Sequence, residues 1–190
     1  MNNQVFDTAR TVLCWGAGPV IGVAGSGKGC AVPCTTVPTP VVIDQRFVPV
    51  SFQSVKTATS GNANCALTTD GRPFCWGGGA NQYISARPAQ ASTTFTRLTD
   101  AGDACALTAD GAVHCLAIHF SGPADAAFAF QPYPIGAPMA TVTIFDLGAS
   151  CGLGLDGVGY CWGPASTRGD GVIDGPNVPA TSPVRIFGQP

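Results

Sequence analysis

The sequence predicts an all-β repeat protein, and three observations carry that prediction. Gly and Pro are abundant, at 25 and 16 of 190 residues, while charged residues make up only 11%, a turn-rich composition that is poor in helix formers. One pattern of cysteines, apolar residues and Asp-Gly occurs three times. Each copy also has the alternation and turn chemistry of a β-hairpin. Because 190 residues can bury one substantial core, we expect a single domain over residues 1–190.

The three repeated stretches read CALTTDGRPFC, CALTADGAVHC and CGLGLDGVGYC, and they give hairpins near residues 65–75, 105–115 and 151–161. Such self-similarity is typical of proteins in which each unit packs on its neighbours. If the two cysteines of a copy face each other, the loop between the strands has three residues, and its last position requires a left-handed backbone conformation. Each copy has a glycine there: Gly71, Gly111 and Gly157.

The register also predicts disulfide bonds. Counting outward from the loop places the facing cysteines at a non-hydrogen-bonded pair, where Cα atoms lie about 4.5–5.5 Å apart, close enough for a bridge. Each bridge would contribute roughly 2–3 kcal/mol. The alternatives are a metal site, which favours cysteine spacings of two to four, or unpaired buried thiols. Bridges in every unit indicate an oxidising compartment, so we expect an extracytoplasmic protein, periplasmic or secreted. The predicted pairs are Cys65–Cys75, Cys105–Cys115 and Cys151–Cys161.

Three of the nine cysteines lie outside these pairs. Cys14 occupies a second-cysteine position in a weaker copy, VLCWG, and Gln4 stands where its partner would be. Cys30 and Cys34 are predicted to bridge each other, which leaves Cys14 free. A three-thiolate metal site, an intermolecular bridge and lipid attachment through the odd thiol are the alternatives. The amino-terminal residues show no signal peptide, so either one was removed or the chain is a piece of a longer protein.

Two longer stretches, CALTTDGRPFCWGGGANQ and SCGLGLDGVGYCWG, closely resemble the disulfide-bearing bacterial form of the regulator of chromosome condensation repeat. TPVVI at 39–43 and SPVRI at 182–186 resemble the Pro-Val strand of that repeat, and RGDG at 168–171 resembles its glycine-rich loop. The good resemblance covers roughly residues 52–163, with degraded copies at both ends. It implies a β-propeller, usually of seven four-stranded blades.

This chain has fewer units than the family usually does, so we predict a short or partial propeller of about four blade-like units. Three hairpins are clear, and a degraded unit is expected to be shared between residues 1–16 and 180–190. One strand from each terminus would then complete a common blade and protect its edges. The eukaryotic founder of the family is a nuclear nucleotide exchange factor and chromatin binder, but no stretch here matches its GTPase-contacting or histone-contacting segments.

The sequence predicts no catalytic, cofactor or metal site. The only histidines are His114 and His119, and no Ser or Cys has a nucleophile-elbow pattern. His114 aligns with Phe74 and Tyr160, so a packed ring is expected there. GVAGSGKG at 22–29 resembles a phosphate loop, but it lacks the Ser or Thr that binds magnesium, and prolines follow it. Scattered Lys and Arg and a net charge of −2 argue against nucleic acid as a partner, and no stretch has the roughly 18 apolar residues of a transmembrane segment.

Residues 119–145 interrupt the repeat with an apolar stretch that contains one charge, Asp125. Prolines among its apolar residues favour a loop over a helix. Such a loop is either packed over a blade as core or exposed as a docking patch for a protein or membrane surface. We take it as the interface candidate, with these residues: Phe128, Phe130, Tyr133, Ile135 and Met139.

These features predict a non-enzymatic protein-interaction or structural subunit, such as an accessory component of a larger extracytoplasmic or membrane-bound assembly. Its expected partner is a protein. One alternative is a carbohydrate- or small-ligand-binding propeller module, in which Trp or Tyr beside Asp and Asn would stack on sugar. Another is an enzyme with its site in the central funnel of the propeller.

Overall fold

The computed structural model describes residues 3–6, 10–17, 34–57, 63–77, 83–99, 105–118, 128–133, 135–143, 150–162 and 183–186. Fifteen described strands form four antiparallel sheets, in which neighbouring strands follow one another in the chain. We call these sheets blades 1 to 4. Blade 1 comprises β1 (Asn3–Phe6), β2 (Val12–Ala17) and β3 (Cys34–Pro40). Blade 2 comprises β4 (Phe52–Thr57), β5 (Ala63–Thr68), β6 (Pro73–Gly77) and β7 (Tyr83–Pro88). Blade 3 comprises β8 (Arg97–Leu98), β9 (Cys105–Leu107), β10 (Val113–Ile118) and β11 (Phe128–Pro132). Blade 4 comprises β12 (Met139–Thr143), β13 (Ser150–Gly154), β14 (Gly159–Trp162) and β15 (Val184–Arg185).

The three cysteine hairpins have the register that the sequence predicts. The cysteines of each unit are Cα partners across the two middle strands. Their Cα atoms lie 4.2, 4.0 and 4.1 Å apart in blades 2, 3 and 4, and each pair is joined by a disulfide bond. Gly71, Gly111 and Gly157 have φ angles of 81°, 83° and 78°, the left-handed conformation that a three-residue loop needs at this position.

Blade 1 is the weaker fourth copy. Gln4 is the Cα partner of Cys14, so it stands where the first cysteine of the other blades stands, and this hairpin has no disulfide. Cys14 is buried and free, and burial raises the pKa of its thiol to about 12. The predicted Cys30–Cys34 bridge lies outside the described residues at Cys30, so it stays a prediction.

The hydrophobic core lies between the blades, because successive side chains of a strand point to opposite faces of its sheet. In blade 2, Cys65 and Leu67 face blade 3, where they pack with Phe95 and Phe128. The other face of blade 2 packs against blade 1. A third cluster joins Leu107 and its neighbours in blade 3 to blade 4. Blade 4 contributes Met139, Val142 and Trp162 to that cluster.

A backbone hydrogen bond also links each blade to the next. The Phe95 N–H donates to the Gly71 carbonyl (2.8 Å), and the Met139 N–H donates to the Gly111 carbonyl (2.9 Å). In both cases the chain contacts the hairpin turn of the preceding blade at or just before the start of the next inner strand. Arg10, with φ of 60°, holds the glycine position in blade 1, and its carbonyl accepts from the Phe52 N–H (3.2 Å). The same contact therefore joins all three pairs of neighbouring blades.

One sequence prediction is wrong, and a second is not met among the described strands. The segment 119–145 is not a plain loop: it carries the outer strand of blade 3 and the inner strand of blade 4, β11 and β12. The prolines that argued against a helix flank and end these strands. The predicted blade shared between the termini is also absent among the described strands. Val184 and Arg185 pair with Cys161 and Tyr160 of blade 4, where they supply its fourth strand instead.

The inter-blade contact predicts unequal costs for replacing the turn glycines. A Cβ atom on Gly71 would lie 2.6 Å from the Phe95 carbonyl oxygen, whereas a Cβ atom on Gly157 would meet nothing within 4 Å. Gly157→Ala should cost only the left-handed conformation, about 1–2 kcal/mol. Gly71→Ala should cost about 1–3 kcal/mol more, because the next blade must move. Urea unfolding of the two variants would measure this, and equal losses would contradict the contact.

The unstapled hairpin of blade 1 predicts a stabilising variant. Gln4→Cys places a second thiol opposite Cys14 at the register of the other three bridges. A bridge that closes this loop should raise the free energy of unfolding by roughly 2–3 kcal/mol. Intact mass after alkylation would show whether both thiols are consumed, and thermal melts with and without reductant would give the gain. Gln4→Ser is the matched control. Free thiols in the oxidised Gln4→Cys protein would contradict the register.

Candidate protein-binding surface

The hairpin turns carry aspartates that are hydrogen-bonded by neighbouring residues of the same hairpin. In blade 2, the Thr68 hydroxyl donates to Asp70 and the Arg72 Nε donates to Asp70 Oδ2 at 2.8 Å. The Arg72 N–H in turn donates to the Thr68 hydroxyl (2.8 Å). Thr108 and Asp110 repeat the threonine contact in blade 3. These bonds fix the turn while both the Asp70 and Arg72 side chains stay 58% exposed.

In blade 4 the turn aspartate is held by different hydrogen bonds. Gly154 replaces the threonine, and the Tyr160 hydroxyl donates to Asp156 Oδ2 (2.7 Å) while the Val158 N–H donates to Asp156 Oδ1 (3.0 Å). In all three turns the accepted hydrogen bonds lower the pKa of the aspartate, with Thr68, Thr108 and Tyr160 as the leading donors. The turns therefore present fixed carboxylates along one edge of the blades.

The connection between blades 1 and 2 is longer than the others. Eleven residues separate Pro40 from Phe52, whereas six separate Pro88 from Phe95 and Pro132 from Met139. The longer connection includes a 3₁₀ helix, Gln45–Phe47. The sequence analysis missed this surface, although the wide spacing between Cys14 and the next cysteine repeat was a visible signal.

Asp44 organises the beginning of this connection. Its carboxylate accepts from the Arg46 N–H (3.1 Å) and from Arg46 Nη2 (2.7 Å). The Arg46 side-chain hydrogen bond is the main reason that the pKa of Asp44 falls to about 2. Phe47 then packs edge-on against Phe74, with ring centroids 6.2 Å apart. The Asp44–Arg46 pair thus fixes the connection internally, while the Phe47–Phe74 contact and the hydrogen bond from the Asp44 N–H to the Ala86 carbonyl (3.1 Å) attach it to blade 2.

The connection lines two shallow grooves. Pro49, Val50 and Ser51 face the turn residues Thr68 to Arg72 across a groove of about 330 Å³. Phe47 lines a second groove of about 310 Å³ together with Pro88 to Ala91. Val48 lies in the chain between Phe47 of one groove and Pro49 of the other, and it is 44% exposed. We call residues 44–51 together with residues 68–72 the linker surface.

The linker surface combines exposed apolar side chains with arginines. Exposed apolar side chains at Val48 and Pro49 lie between two arginines, Arg46 and Arg72, whose side chains are each 58% exposed. Arginine beside apolar residues is enriched in protein interfaces, where its flat guanidinium group both packs and donates hydrogen bonds. Both arginines are held in place by aspartates, which lowers the entropy lost when a partner orders them.

The interface that the sequence analysis placed on the 119–145 segment is wrong. Phe128, Phe130, Ile135 and Met139 are buried, at 1 to 4% exposed, and Tyr133 is half-buried. The phenylalanines pack into the core between blades 2 and 3, while the other three residues pack between blades 3 and 4. The apolar character of this segment therefore serves the fold, as the other interpretation of the loop held.

Two of the tryptophans that follow a hairpin cysteine are buried. Trp76 and Trp162 are buried at 0% and 1% exposed, so neither can present a ring face to a ligand. His114 is buried at 7% exposed and packs on Phe95, with ring centroids 5.3 Å apart. In the described ranges, no three potential His, Cys, Asp or Glu ligands gather around a common point. No helix in the described part of the chain is long and apolar enough to cross a membrane.

Comparison with solved structures shows the fold. The chain is similar to human WBSCR16, at 18% identity and a TM-score of 0.66 over 98% of this chain and 50% of that one. It is similar to a chain in the structure of Kap60 bound to yeast RCC1 (Prp20), at 16% identity and a TM-score of 0.64, covering 98% and 47% of the two chains. It is also similar to Prp20p from Saccharomyces cerevisiae, at 16% and 0.63, covering 98% and 48%. The chain thus has an RCC1-like repeat fold and spans about half the length of these structures. No family model and no curated protein matches the sequence.

The aspartate contacts predict acid sensitivity of defined sign. Since the folded pKa of Asp44 lies below the roughly 3.9 of an unfolded aspartate, this carboxylate stabilises the fold above about pH 4, and that contribution is lost as the pH falls toward 2. Asp44→Asn should therefore lower the Tm at pH 7 by a few degrees at most, because the pair is exposed to solvent. The gap to the parent should close near pH 2. Thermal melts across this range would measure it, and a constant gap would contradict the assignment.

Proposed function

We propose that this chain, an RCC1-like propeller arc, is a non-enzymatic protein-interaction module that works in an extracytoplasmic space. The observation that supports binding is the linker surface, which sets an exposed valine and two restrained arginines between two grooves. Three hairpin disulfides support the compartment, because such bonds persist where thiols are not kept reduced. A protein partner seated on the linker surface would join the chain to a larger assembly, such as one at a membrane.

The rigid attachment of the surface favours this function. Fixing a binding surface before the partner arrives reduces the entropy that association must overcome. Here the Asp44–Arg46 and Asp70–Arg72 pairs restrain the two arginines locally, and the Phe47–Phe74 contact holds the connection to a disulfide-bonded blade. The solved structures to which the chain is similar include one described as bound to Kap60 and one described by its binding to Gsp1p and histones. Protein binding is therefore a use to which this fold is put.

A photo-crosslinking residue at position 48 would test the proposal in cells that produce the protein. The matched control is the same crosslinker at Gln131, an exposed residue on the outer strand of blade 3. We expect a protein adduct at position 48 that is missing at position 131. The partner would then be identified by mass spectrometry and purified, and its affinity for the chain measured.

Single substitutions would then test whether the partner binds to the linker surface or to another part of the fold. Val48→Asp should weaken binding of the purified partner by about tenfold or more, because it places an unpaired charge in the contact. Arg72→Ala should weaken it as well, and Gln131→Ala should not change it. Circular dichroism melts would establish that each variant is folded. Identical adducts at both positions, or full binding by Val48→Asp, would contradict the proposal; binding on a glycan array instead would point to the carbohydrate module.

A further inference from the structure

The backbone hydrogen bond that links each blade to the next has no described counterpart at the turn of blade 4. The turn residues Arg10, Gly71 and Gly111 each accept a backbone hydrogen bond from the start of the following inner strand. Gly157 has the same left-handed conformation, with φ of 78°. It is nevertheless exposed, whereas Gly71 and Gly111 are buried, and a Cβ atom added to it would meet no described atom within 4 Å. Blade 4 therefore keeps the receiving turn, and no described part of the chain is seated on it.

The apolar side chains of this face are uncovered as well. Leu153 corresponds in the repeat to Leu67 and Leu107, which are 0% and 2% exposed, but Leu153 itself is 43% exposed. Cys151 is half-buried, whereas its equivalents Cys65 and Cys105 are fully buried. In blades 2 and 3 these positions face the next blade. We call the surface formed by Cys151, Leu153 and Gly157 the terminal face.

We propose that the terminal face binds an extended segment of the same type as the three seated ones, which begins with a large apolar residue and runs on as the inner strand of a blade. The chemistry of the occupant follows from the three seated examples. Each seated segment has a large apolar residue at or just before the start of its inner strand, and the N–H of this residue donates to the turn carbonyl. Phe52 and Met139 begin β4 and β12, and Phe95 lies two residues before β8; the hydrogen bonds of Phe52, Phe95 and Met139 measure 3.2, 2.8 and 2.9 Å. The side chains around Phe95 and Met139 then cover Leu67 and Leu107. The occupant must supply one such residue opposite Gly157 and apolar cover for Leu153.

A second copy of this chain is a poor occupant, for a structural reason. In the ranges that the structure describes, the segments of the required type are those that begin at Phe52, Phe95 and Met139, and each is already seated on a turn of its own chain. A second copy would have to unfold one of its blades to offer a strand. The similar solved structures are about twice as long as this chain, so the same repeat fold accommodates additional blades beyond an arc of this length.

The test uses a peptide that copies a seated segment. A fluorescein-labelled peptide with the sequence of residues 91–99, ASTTFTRLT, carries the Phe95 anchor and Leu98. Added to the full chain, it should bind saturably in the submillimolar range by fluorescence anisotropy. It should also slow amide exchange in residues 151–157. Two control peptides remove one requirement each: an N-methyl group on the phenylalanine removes the hydrogen-bond donor, and serine in its place removes the apolar anchor.

Protein variants locate the binding site. Gly157→Ala should reduce peptide affinity at least tenfold, because in the seated blades a Cβ atom at this position would lie 2.6 to 2.7 Å from the incoming backbone. Leu153→Asp should do the same by placing a charge in the apolar contact. Because a Cβ atom at Gly157 meets no neighbour in the chain alone, Gly157→Ala should stay folded, as a thermal melt would check.

Three outcomes would overturn the inference. The first is no saturable binding up to about 1 mM peptide, which corresponds to a binding free energy weaker than about −4 kcal/mol. The second is unchanged peptide binding by the Gly157→Ala variant. The third is a dimer in analytical ultracentrifugation that Leu153→Asp dissociates, because this would assign the terminal face to a second copy. The linker surface plays no part in this test. Val48→Asp should bind the peptide normally, so the failure of one proposal leaves the other standing.

Discussion

A single backbone hydrogen bond, from the start of one inner strand to the carbonyl of a left-handed turn residue in the preceding blade, sets the spacing of the whole structure. It operates at Arg10, Gly71 and Gly111. Because the incoming strand lies within 3 Å of where a side chain would begin at both glycines, their lack of a Cβ atom serves two purposes. It permits the turn, and it permits the close approach of the next blade. The inter-blade cores follow from that approach, since Leu67 and Leu107 become buried only when a neighbouring strand is seated beside the turn.

The hairpins could be predicted from the sequence because their information is local. The distance between the cysteines sets the loop length, the loop length requires glycine at its last position, and the facing positions suit a disulfide. Gln4 opposite Cys14 follows from the same counting. The inner and outer strands are harder to predict because they lack these markers: β8 has only two residues, and β11 and β12 lie in an apolar segment whose prolines suggest a loop. Their pairing depends on residues far away in the chain.

The candidate binding surface could not be predicted in the same way, because hydrophobic composition does not distinguish core from interface. Phe128 and Phe130 were attractive interface residues in sequence because few charges surround them, yet the neighbouring blade buries both. The linker surface has a modest sequence signal, a few extra residues between blades 1 and 2 with two charges and one proline. Its character comes from three-dimensional contacts: the Asp44–Arg46 pair, and the position of residues 49–51 opposite the turn at Asp70.

The three disulfides each close a hairpin within one blade, and none of these three joins one blade to another. The covalent reinforcement and the inter-blade cores therefore resist different deformations. When a force pulls the ends of the chain apart, each disulfide prevents the ten-residue hairpin loop that it closes from being extended. These three bridges do not reinforce the packing between neighbouring hairpins, which is non-covalent. Under tension the arc should lengthen first at the boundaries between blades, while each hairpin stays intact as a unit. Such a chain should extend as a series of intact hairpins whose inter-blade contacts separate under load and re-form when the load is removed.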